Sequence, residues 1–238
     1  MIALIGLGSL FGSILSEGAR SDAQQYVETT LRARLGVSGA SDEWLWARTH
    51  AVELQILAIR AWEDYQAMVL KLLEIPAARL GVDIQALLFT DRDTRRAYLD
   101  EAWPRRAEIE EHIGLRVHGH GAGRSVFELV PGLAVKLAIF DDDRRLNLDE
   151  ARRYRQLPKG VRAMVVPVVD VDFDGRWLIM EEAVPMPLAP SAEIRAELGR
   201  KMRLMRLLCK RHGFEGLDLA IYNWGIHDGQ VKLLDMAN

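Results

Sequence analysis

The chain has 238 residues, of which 49% are hydrophobic, so it is long enough to bury the core of one large domain or two small ones. Its formal net charge is −3, and basic and acidic residues are interspersed, a pattern that does not indicate a nucleic-acid partner. Cys209 is the single cysteine, which excludes an internal disulfide and favours a reducing compartment such as the cytoplasm. Its apolar neighbours predict a buried thiol.

Residues 1–15 form an almost uncharged, glycine-rich segment for which three interpretations stay open. Its glycines look like a dinucleotide-binding turn, but the third one falls late and no second strand ending in an acid follows. The spacing of Gly8 and Gly12 would instead allow close helix packing, or the segment could contact a membrane interface. We favour the third interpretation, an apolar arm buried against its own or a neighbouring subunit. The segment lacks the basic leader of a secretory signal and is short for a membrane span.

The region up to residue 112 has the periodicity and capping signals of helices. The predicted helices span 22–35, 42–74, 84–89 and 91–112. Pro76 is expected to end the long second helix, and Pro104 to kink or split the last one. The long helix is apolar on two sides, so it predicts packing or oligomerisation, by self-association or with a protein partner. This half contains no recognisable catalytic constellation.

After Gly114 the pattern changes from helices to strands. The predicted strands span 115–118, 125–130, 133–140, 163–171 and 176–180. A glycine-rich loop containing Gly119 and Gly121 lies between the first two strands, and Lys136 stands in the apolar run of the third. A lysine buried in a strand is costly unless an anion meets it. Lys136 is therefore the clearest sign of an anion-binding site.

The helix after the third strand leaves two interpretations of Glu150. Asn147 is a plausible N-cap, and Glu150 would then complete a capping box with it. Alternatively, Glu150 forms a salt bridge to Lys136. Both interpretations remain open on the sequence alone.

A helix capped by Ser191 leads to the closing segment, which combines an acid, an amide and a second acid after a short apolar strand. Asn223 and Asp235 offer hard oxygen ligands of the kind that Mg²⁺ takes beside phosphate, and Asp218 would face a substrate hydroxyl. The alternative is an ordinary loop, because Asp and Asn most often bond local backbone.

In chain order, the motifs over residues 113–238 resemble those of protein kinases and kinase-like phosphotransferases. In that family a glycine-rich loop covers the ATP phosphates, an Ala-Val-Lys strand supplies the lysine that holds them, and an extended hinge reads adenine. The residues that match this nucleotide-binding pattern are Gly119, Gly121, Val126, Ala134, Lys136, Met180, Glu181 and Ala183.

The resemblance also implies catalytic and metal-binding roles. Lys136 would hold the α- and β-phosphates and would be positioned by Glu150. Asp218 would orient the acceptor hydroxyl, while Asn223 and Asp235 would hold Mg²⁺. The implied cofactors are ATP and Mg²⁺, and the implied reaction is phosphoryl transfer.

Several positions depart from the family pattern. Arg124 stands where the loop usually has glycine, Gly216-Leu217 replaces the usual lead-in to Asp218, and Met236-Ala237 replaces Phe-Gly. The sequence also ends shortly after Asp235, without the segments that normally complete the larger lobe. We therefore expect a minimal kinase-like domain that the helical half, or another subunit, must brace.

These observations predict an α+β fold with two parts. Residues 1–112 would be the helical packing region, and residues 113–238 a minimal kinase-like domain with an antiparallel sheet lobe and a reduced helical lobe. One predicted function is that of a kinase-like nucleotide-binding protein acting as an ATP- and Mg²⁺-dependent phosphotransferase. The alternative is an inactive pseudokinase module within a larger oligomer or virion, which would make the protein virion-associated rather than cytoplasmic.

Overall fold

The computed structural model describes residues 42–88, 90–102, 106–120, 123–138, 140–187, 189–213 and 217–236. The predicted apolar arm, the helix predicted at 22–35 and Gly121 lie outside these residues. The chain divides into two compact units, Met1–Ala61 and Trp62–Asn238. The domain boundary expected after residue 112 remains a prediction.

A long helix, α1, runs from Asp42 to Leu80. The expectation that it ends before Pro76 is wrong, because the helix continues through this proline. Proline removes one backbone donor and strains one turn, but burial of Leu73 and Ala77 on either side stabilises the helical path. Gly81 then ends the helix in the left-handed conformation that glycine adopts without strain, with φ of 66°.

Three shorter helices follow, namely α2 (Ile84–Leu88), α3 (Arg92–Ala102) and α4 (Arg106–Ile113). The region predicted as one interrupted helix is thus two helices, which lie on either side of Pro104. Within the second unit, α3 contacts residues 140–142. Arg95 of α3 is paired with Asp142, and its guanidinium lies 4.7 Å from the ring centre of Phe140.

Five strands form an antiparallel sheet in the order β1-β2-β3-β5-β4. They are β1 (Val117–His120), β2 (Arg124–Val130), β3 (Leu133–Ala138), β4 (Val168–Val171) and β5 (Trp177–Glu181). In the central strand β3, Lys136 is paired with Val126 on β2 and with Leu178 on β5. The predicted α+β class, with helices before an antiparallel sheet lobe, is confirmed.

The segment of α1 from Trp62 onward packs on this sheet. The buried Tyr65 hydroxyl and the Ser125 hydroxyl are 2.7 Å apart, and the rings of Tyr65 and Phe127 meet edge to face at 5.3 Å. Trp62 and Gln66 both donate hydrogen bonds to the Ala138 carbonyl. The sheet is therefore braced by helix on the side of β2 and β3.

A turn of 3₁₀ helix (Asp141–Asp143), helix α5 (Arg144–Gln156) and the short helix α6 (Lys159–Arg162) connect β3 to β4. Helix α5 begins before Asn147, so the prediction that Asn147 is the N-cap is wrong. Asn147 is instead fully buried inside the helix, and its side-chain amide donates to the carbonyls of Lys136 and Gly175. These bonds fix α5 against β3.

The remaining elements form the second layer of the domain. They are β6 (Val184–Pro185), α7 (Ala192–His212), a 3₁₀ turn (Ile221–Asn223), β7 (Trp224–His227) and β8 (Gln230–Leu233). The Ser191 side chain accepts a hydrogen bond from the Ile194 N–H at 3.3 Å, which confirms the predicted cap. The apolar face of α7 packs on Trp224 and Leu233, and Cys209 is buried in the same cluster, as predicted.

Strands β6, β7 and β8 form a separate three-stranded sheet. The turn between β7 and β8 consists of Asp228 and Gly229, whose φ angles are 49° and 70°. Two consecutive residues with positive φ are typical of a tight hairpin turn. In the described part of the chain, no helix combines the length and the apolar character needed to cross a membrane.

Candidate functional site

A buried ion pair joins the sheet to α5. The ammonium group of Lys136 lies 2.8 and 3.0 Å from the two carboxylate oxygens of Glu150, and these residues are only 4% and 1% exposed. Burial of either charge alone would cost several kcal/mol, so each charge needs the other. Of the two interpretations of Glu150, the geometry is that of the salt bridge, since Asn147 does not cap the helix.

The end of β8 meets this ion pair. Lys136 donates a third hydrogen bond to the Leu234 carbonyl at 2.9 Å, and its ammonium group is 3.7 Å from Asp235 Oδ1. The neighbouring backbone is fixed on both sides, because Leu234 N–H donates to Asn223 O and Met236 N–H donates to Glu150 Oε1. The structure therefore brings together Lys136, Glu150 and Asp235, three of the residues that the sequence predicted for the site.

Arg124, which the sequence showed only as a departure from the glycine-loop pattern, completes the cluster. Its Nη1 atom donates to Glu150 Oε2 at 2.5 Å and to Asn147 Oδ1 at 3.1 Å. Its Nη2 atom donates to Asp235 Oδ1 at 2.7 Å. Burial alone would lower the pKa of Arg124, but the charges of Glu150 and Asp235 outweigh burial and raise that pKa above its usual value. We call Arg124, Lys136, Asn147, Glu150 and Asp235 the polar cluster.

Asp218 and Asn223 lie in the turn that precedes β7. The Asp218 carboxylate accepts from the Ala220 N–H at 3.0 Å and from the Tyr222 hydroxyl at 2.9 Å. The Asn223 amide nitrogen donates to the Asp218 carbonyl at 3.1 Å. Asp218 thus shapes the local turn, as the ordinary-loop alternative expected, and the bond between Leu234 N–H and Asn223 O connects this turn to the polar cluster.

Four of the residues that match the nucleotide-binding pattern fall into one apolar cluster. Ala134 and Met180 are buried and paired across β3 and β5, and the half-buried Val126 and Ala183 pack against the same cluster. Leu234, next to Asp235, packs there as well. An apolar surface thus lies directly beside the polar cluster, because Val126 is the β-sheet partner of Lys136.

The predicted hinge is the segment from Met180 to Ala183. The N–H groups of Glu181 and Glu182 donate to the carbonyls of Pro167 and Gly132. The Glu182 carbonyl accepts from His227 Nδ1 at 2.9 Å, while His227 Nε2 lies 2.8 Å from Glu181 Oε2. Among the described residues, the N–H of Ala183 donates to no backbone carbonyl, so it is the hinge donor left for a ligand.

Gly119 and Gly123, which flank the connection between β1 and β2, differ in their surroundings. Gly119 is paired with Val126 at an irregularity in the β1–β2 ladder, and a Cβ atom there would meet no described atom within 4 Å. A Cβ atom at Gly123 would instead overlap the Asp143 carboxylate, so this position needs glycine. The backbone at Gly119 is therefore open to a ligand, and the backbone at Gly123 is packed.

No family model matches the chain, and no curated protein does either. Among solved structures, the chain is similar to the Legionella pneumophila Lpg2603 kinase bound to IP6, with a TM-score of 0.35 and 13% sequence identity. The similarity covers 51% of this chain and 47% of that chain, about half the length of each. At this TM-score the likeness carries no argument about activity, so the candidate function depends on the geometry of the polar cluster itself.

The side chains in and beside the polar cluster fit the chemistry of ATP and Mg²⁺. Lys136 and Arg124 supply two positive charges for phosphate oxygens, and the Asp235 carboxylate and Asn223 amide supply the hard oxygen ligands that Mg²⁺ prefers. One feature opposes a metal ion, because Arg124 already holds Asp235 Oδ1.

Proposed function

We propose that residues 113–238 form a minimal kinase-like domain that binds ATP with Mg²⁺ and transfers its terminal phosphoryl group. The single observation that carries the proposal is the Lys136–Glu150 ion pair at 2.8 Å, buried in the sheet and joined to Asp235 in one hydrogen-bonded cluster. An isolated structural ion pair does not need a third, partly exposed carboxylate on a different element. A site for phosphate with a bound metal ion has a use for such a carboxylate, because the carboxylate would hold the metal ion.

The proposed roles follow from the position of each group. Lys136, held in place by Glu150, binds the α- and β-phosphates, and the apolar cluster with Ala134 and Met180 encloses the base. Asn223 and Asp235 would hold Mg²⁺ in competition with Arg124, and the ion when bound would neutralise charge on the transferred phosphoryl group. Catalysis of this kind relies on positioning and charge stabilisation rather than on covalent chemistry by the protein.

A second candidate function is that of an inactive kinase-like module that binds nucleotide without transfer. It is favoured by the bonds of Asp218, whose two carboxylate oxygens accept from Ala220 N–H and from the Tyr222 hydroxyl. A general base needs an oxygen directed at the acceptor hydroxyl. The role in a larger oligomer or virion stays part of this second proposal.

The first test is whether Mg²⁺-ATP raises the melting temperature of the full chain. At a ligand concentration of about 100 times Kd the expected gain is about 2.7 kcal/mol. For a chain of this size each kcal/mol raises the melting temperature by roughly 2–4 °C. Lys136→Met should abolish the increase, whereas Lys159→Met, which removes the same charge from an exposed position on α6, should retain it. The absence of an increase in the wild-type chain would disprove nucleotide binding.

The second test separates the two candidate functions. Transfer of labelled γ-phosphate to the protein itself, to a peptide mixture or to small alcohols would support the phosphotransferase. Binding of ATP without transfer to any of them would favour the inactive module. The variant Tyr222→Phe should increase transfer if the Tyr222 hydroxyl holds Asp218 away from the acceptor.

A further inference from the structure

We infer that Arg124 is a resident cation that competes with divalent metal ions for Asp235, so that nucleotide binding by this chain depends little on Mg²⁺. The competition concerns the polar cluster alone. Its consequence for nucleotide binding rests on the proposed function. Arg124 was not among the residues predicted from the sequence to act in the site.

One side of the guanidinium is anchored in the interior. Nη1 bonds to Glu150 and Asn147, which are 1% and 0% exposed. Asn147 is itself held by the carbonyls of Lys136 and Gly175. Removal of Arg124 from this position would leave part of a buried carboxylate without its partner, which is strongly unfavourable. Arg124 therefore stays in the cluster when a ligand arrives.

The other side of the guanidinium occupies one of the two carboxylate oxygens that a metal ion could bind. Nη2 lies 2.7 Å from Asp235 Oδ1, and the Asp235 side chain is 35% exposed, so this carboxylate is the part of the cluster that solvent ions can reach. Mg²⁺ binds carboxylate oxygen at about 2.0–2.1 Å. A divalent ion and the guanidinium on the same oxygen would repel each other strongly, because two positive charges would lie within a few ångströms.

The cluster contains two fixed cations beside its two carboxylates. Lys136 and Arg124 balance Glu150 and Asp235 before any ligand binds. A divalent ion would add uncompensated positive charge to a largely buried site. The phosphates of a nucleotide would instead meet two fixed cations, and the second Nη2 hydrogen of Arg124 would donate to a phosphate oxygen. Arg124 thus supplies part of the charge neutralisation that a metal ion supplies elsewhere.

The metal arm of the test needs no nucleotide. Mn²⁺ binding to the full chain is measured by electron paramagnetic resonance for the wild type and for Arg124→Gln. We expect affinity for Mn²⁺ to increase about tenfold or more in Arg124→Gln, because the competing charge beside Asp235 is gone. The gain should vanish in Arg124→Gln combined with Asp235→Asn. Arg152→Gln is the matched control, since Arg152 is exposed and paired with Asp149 on the same helix.

Arg124→Gln leaves Glu150 with less compensation, so a second variant guards against misfolding. The double variant Arg124→Gln with Glu150→Gln removes one charge of each sign and keeps the cluster balanced. It should show the same increase in Mn²⁺ affinity. Unchanged Mn²⁺ affinity in a folded variant that lacks Arg124, or the same increase in Arg152→Gln, would overturn the inference.

The nucleotide arm compares ATP affinity in EDTA with ATP affinity in Mg²⁺. The wild-type ratio should lie within about threefold, and Arg124→Gln should raise the metal dependence about tenfold or more, because the fixed cation is lost. Binding that strictly requires Mg²⁺ in the wild type would overturn the inference. If no form of the chain binds ATP under either condition, the proposed function fails, while the Mn²⁺ result still decides whether Arg124 competes for Asp235.

Discussion

Replacing Glu150 by glutamine tests how much the polar cluster contributes to folding. The substitution keeps the shape of the side chain and removes one negative charge. Glu150 accepts hydrogen bonds from Lys136 at 2.8 and 3.0 Å, from Arg124 at 2.5 Å and from the Met236 N–H at 3.4 Å. After the substitution, the two cations share only Asp235, which is partly exposed. The cluster then carries an uncompensated charge in the interior.

The expected magnitude follows from this loss of compensation. Breaking a buried ion pair by removal of one partner typically destabilises a protein by about 3–5 kcal/mol. Because domains are stable by only about 5–15 kcal/mol, Glu150→Gln should remove a large fraction of the total. The matched control is Glu128→Gln, which breaks a pair with the exposed Arg116 at 2.7 Å and should change stability by about 0–1 kcal/mol.

Urea denaturation, followed by tryptophan fluorescence, measures both free energies of unfolding. The reasoning predicts that Lys136 and Arg124 lose a buried counter-charge when Glu150 is replaced. It would be refuted if the free energy of unfolding fell by less than about 1 kcal/mol in Glu150→Gln and by the same amount in Glu128→Gln. A further check is Lys136→Met in the Glu150→Gln background. This double variant should be more stable than Glu150→Gln alone, because one of the two excess cations is also removed.

Two further predictions concern the sheet. Burial raises the pKa of Asp172, but hydrogen bonds and charge from Arg176 outweigh burial and hold that pKa below its usual value. A carboxyl group whose pKa is lowered on folding stabilises the folded state above the unfolded pKa of about 3.9, and this stabilisation is lost as the pH falls. In denaturant titrations, Asp172→Asn should therefore lower the free energy of unfolding clearly at pH 7 and less at pH 3. Equal decreases at the two pH values would contradict this prediction. Tyr65→Phe, which removes the bond to Ser125, should lower the free energy of unfolding by about 0.5–1.5 kcal/mol, and an unchanged denaturation midpoint would contradict it.

The sequence predicted the parts of the fold whose signals are local. The turn residues of the β4–β5 hairpin, the cap at Ser191 and the lysine within an apolar strand each depend on neighbouring residues. Each has a direct physical reason in backbone conformation or desolvation.

The sequence failed where tertiary contacts decide. Asn147 is a residue type that favours helix N-caps, but α5 begins at Arg144. Asn147 lies inside the helix, where its side-chain amide donates a hydrogen bond to the Lys136 carbonyl. Pro76 does not end α1, because burial on both sides stabilises the continuation. The role of Arg124 requires the start of β2, α5 and the end of β8 to meet, and no local pattern encodes that meeting.

Strand β7 shows a signal that was present and missed. Asp228-Gly229 is a strong local indication of a two-residue hairpin. An assignment of the closing segment as a hairpin would have placed His227 near the hinge. It would also have shown that Asp235 follows the second strand of a hairpin and not an isolated strand.

The central claim, that Lys136 faces the phosphates of a bound nucleotide, is tested most directly by chemical labelling. An acyl-phosphate derivative of ATP transfers its acyl group to a lysine that lies beside the phosphates. We predict that mass spectrometry finds the label on Lys136, and that excess ATP prevents the labelling. Labelling of surface lysines only, or labelling of Lys136 that excess ATP does not reduce, would contradict the account.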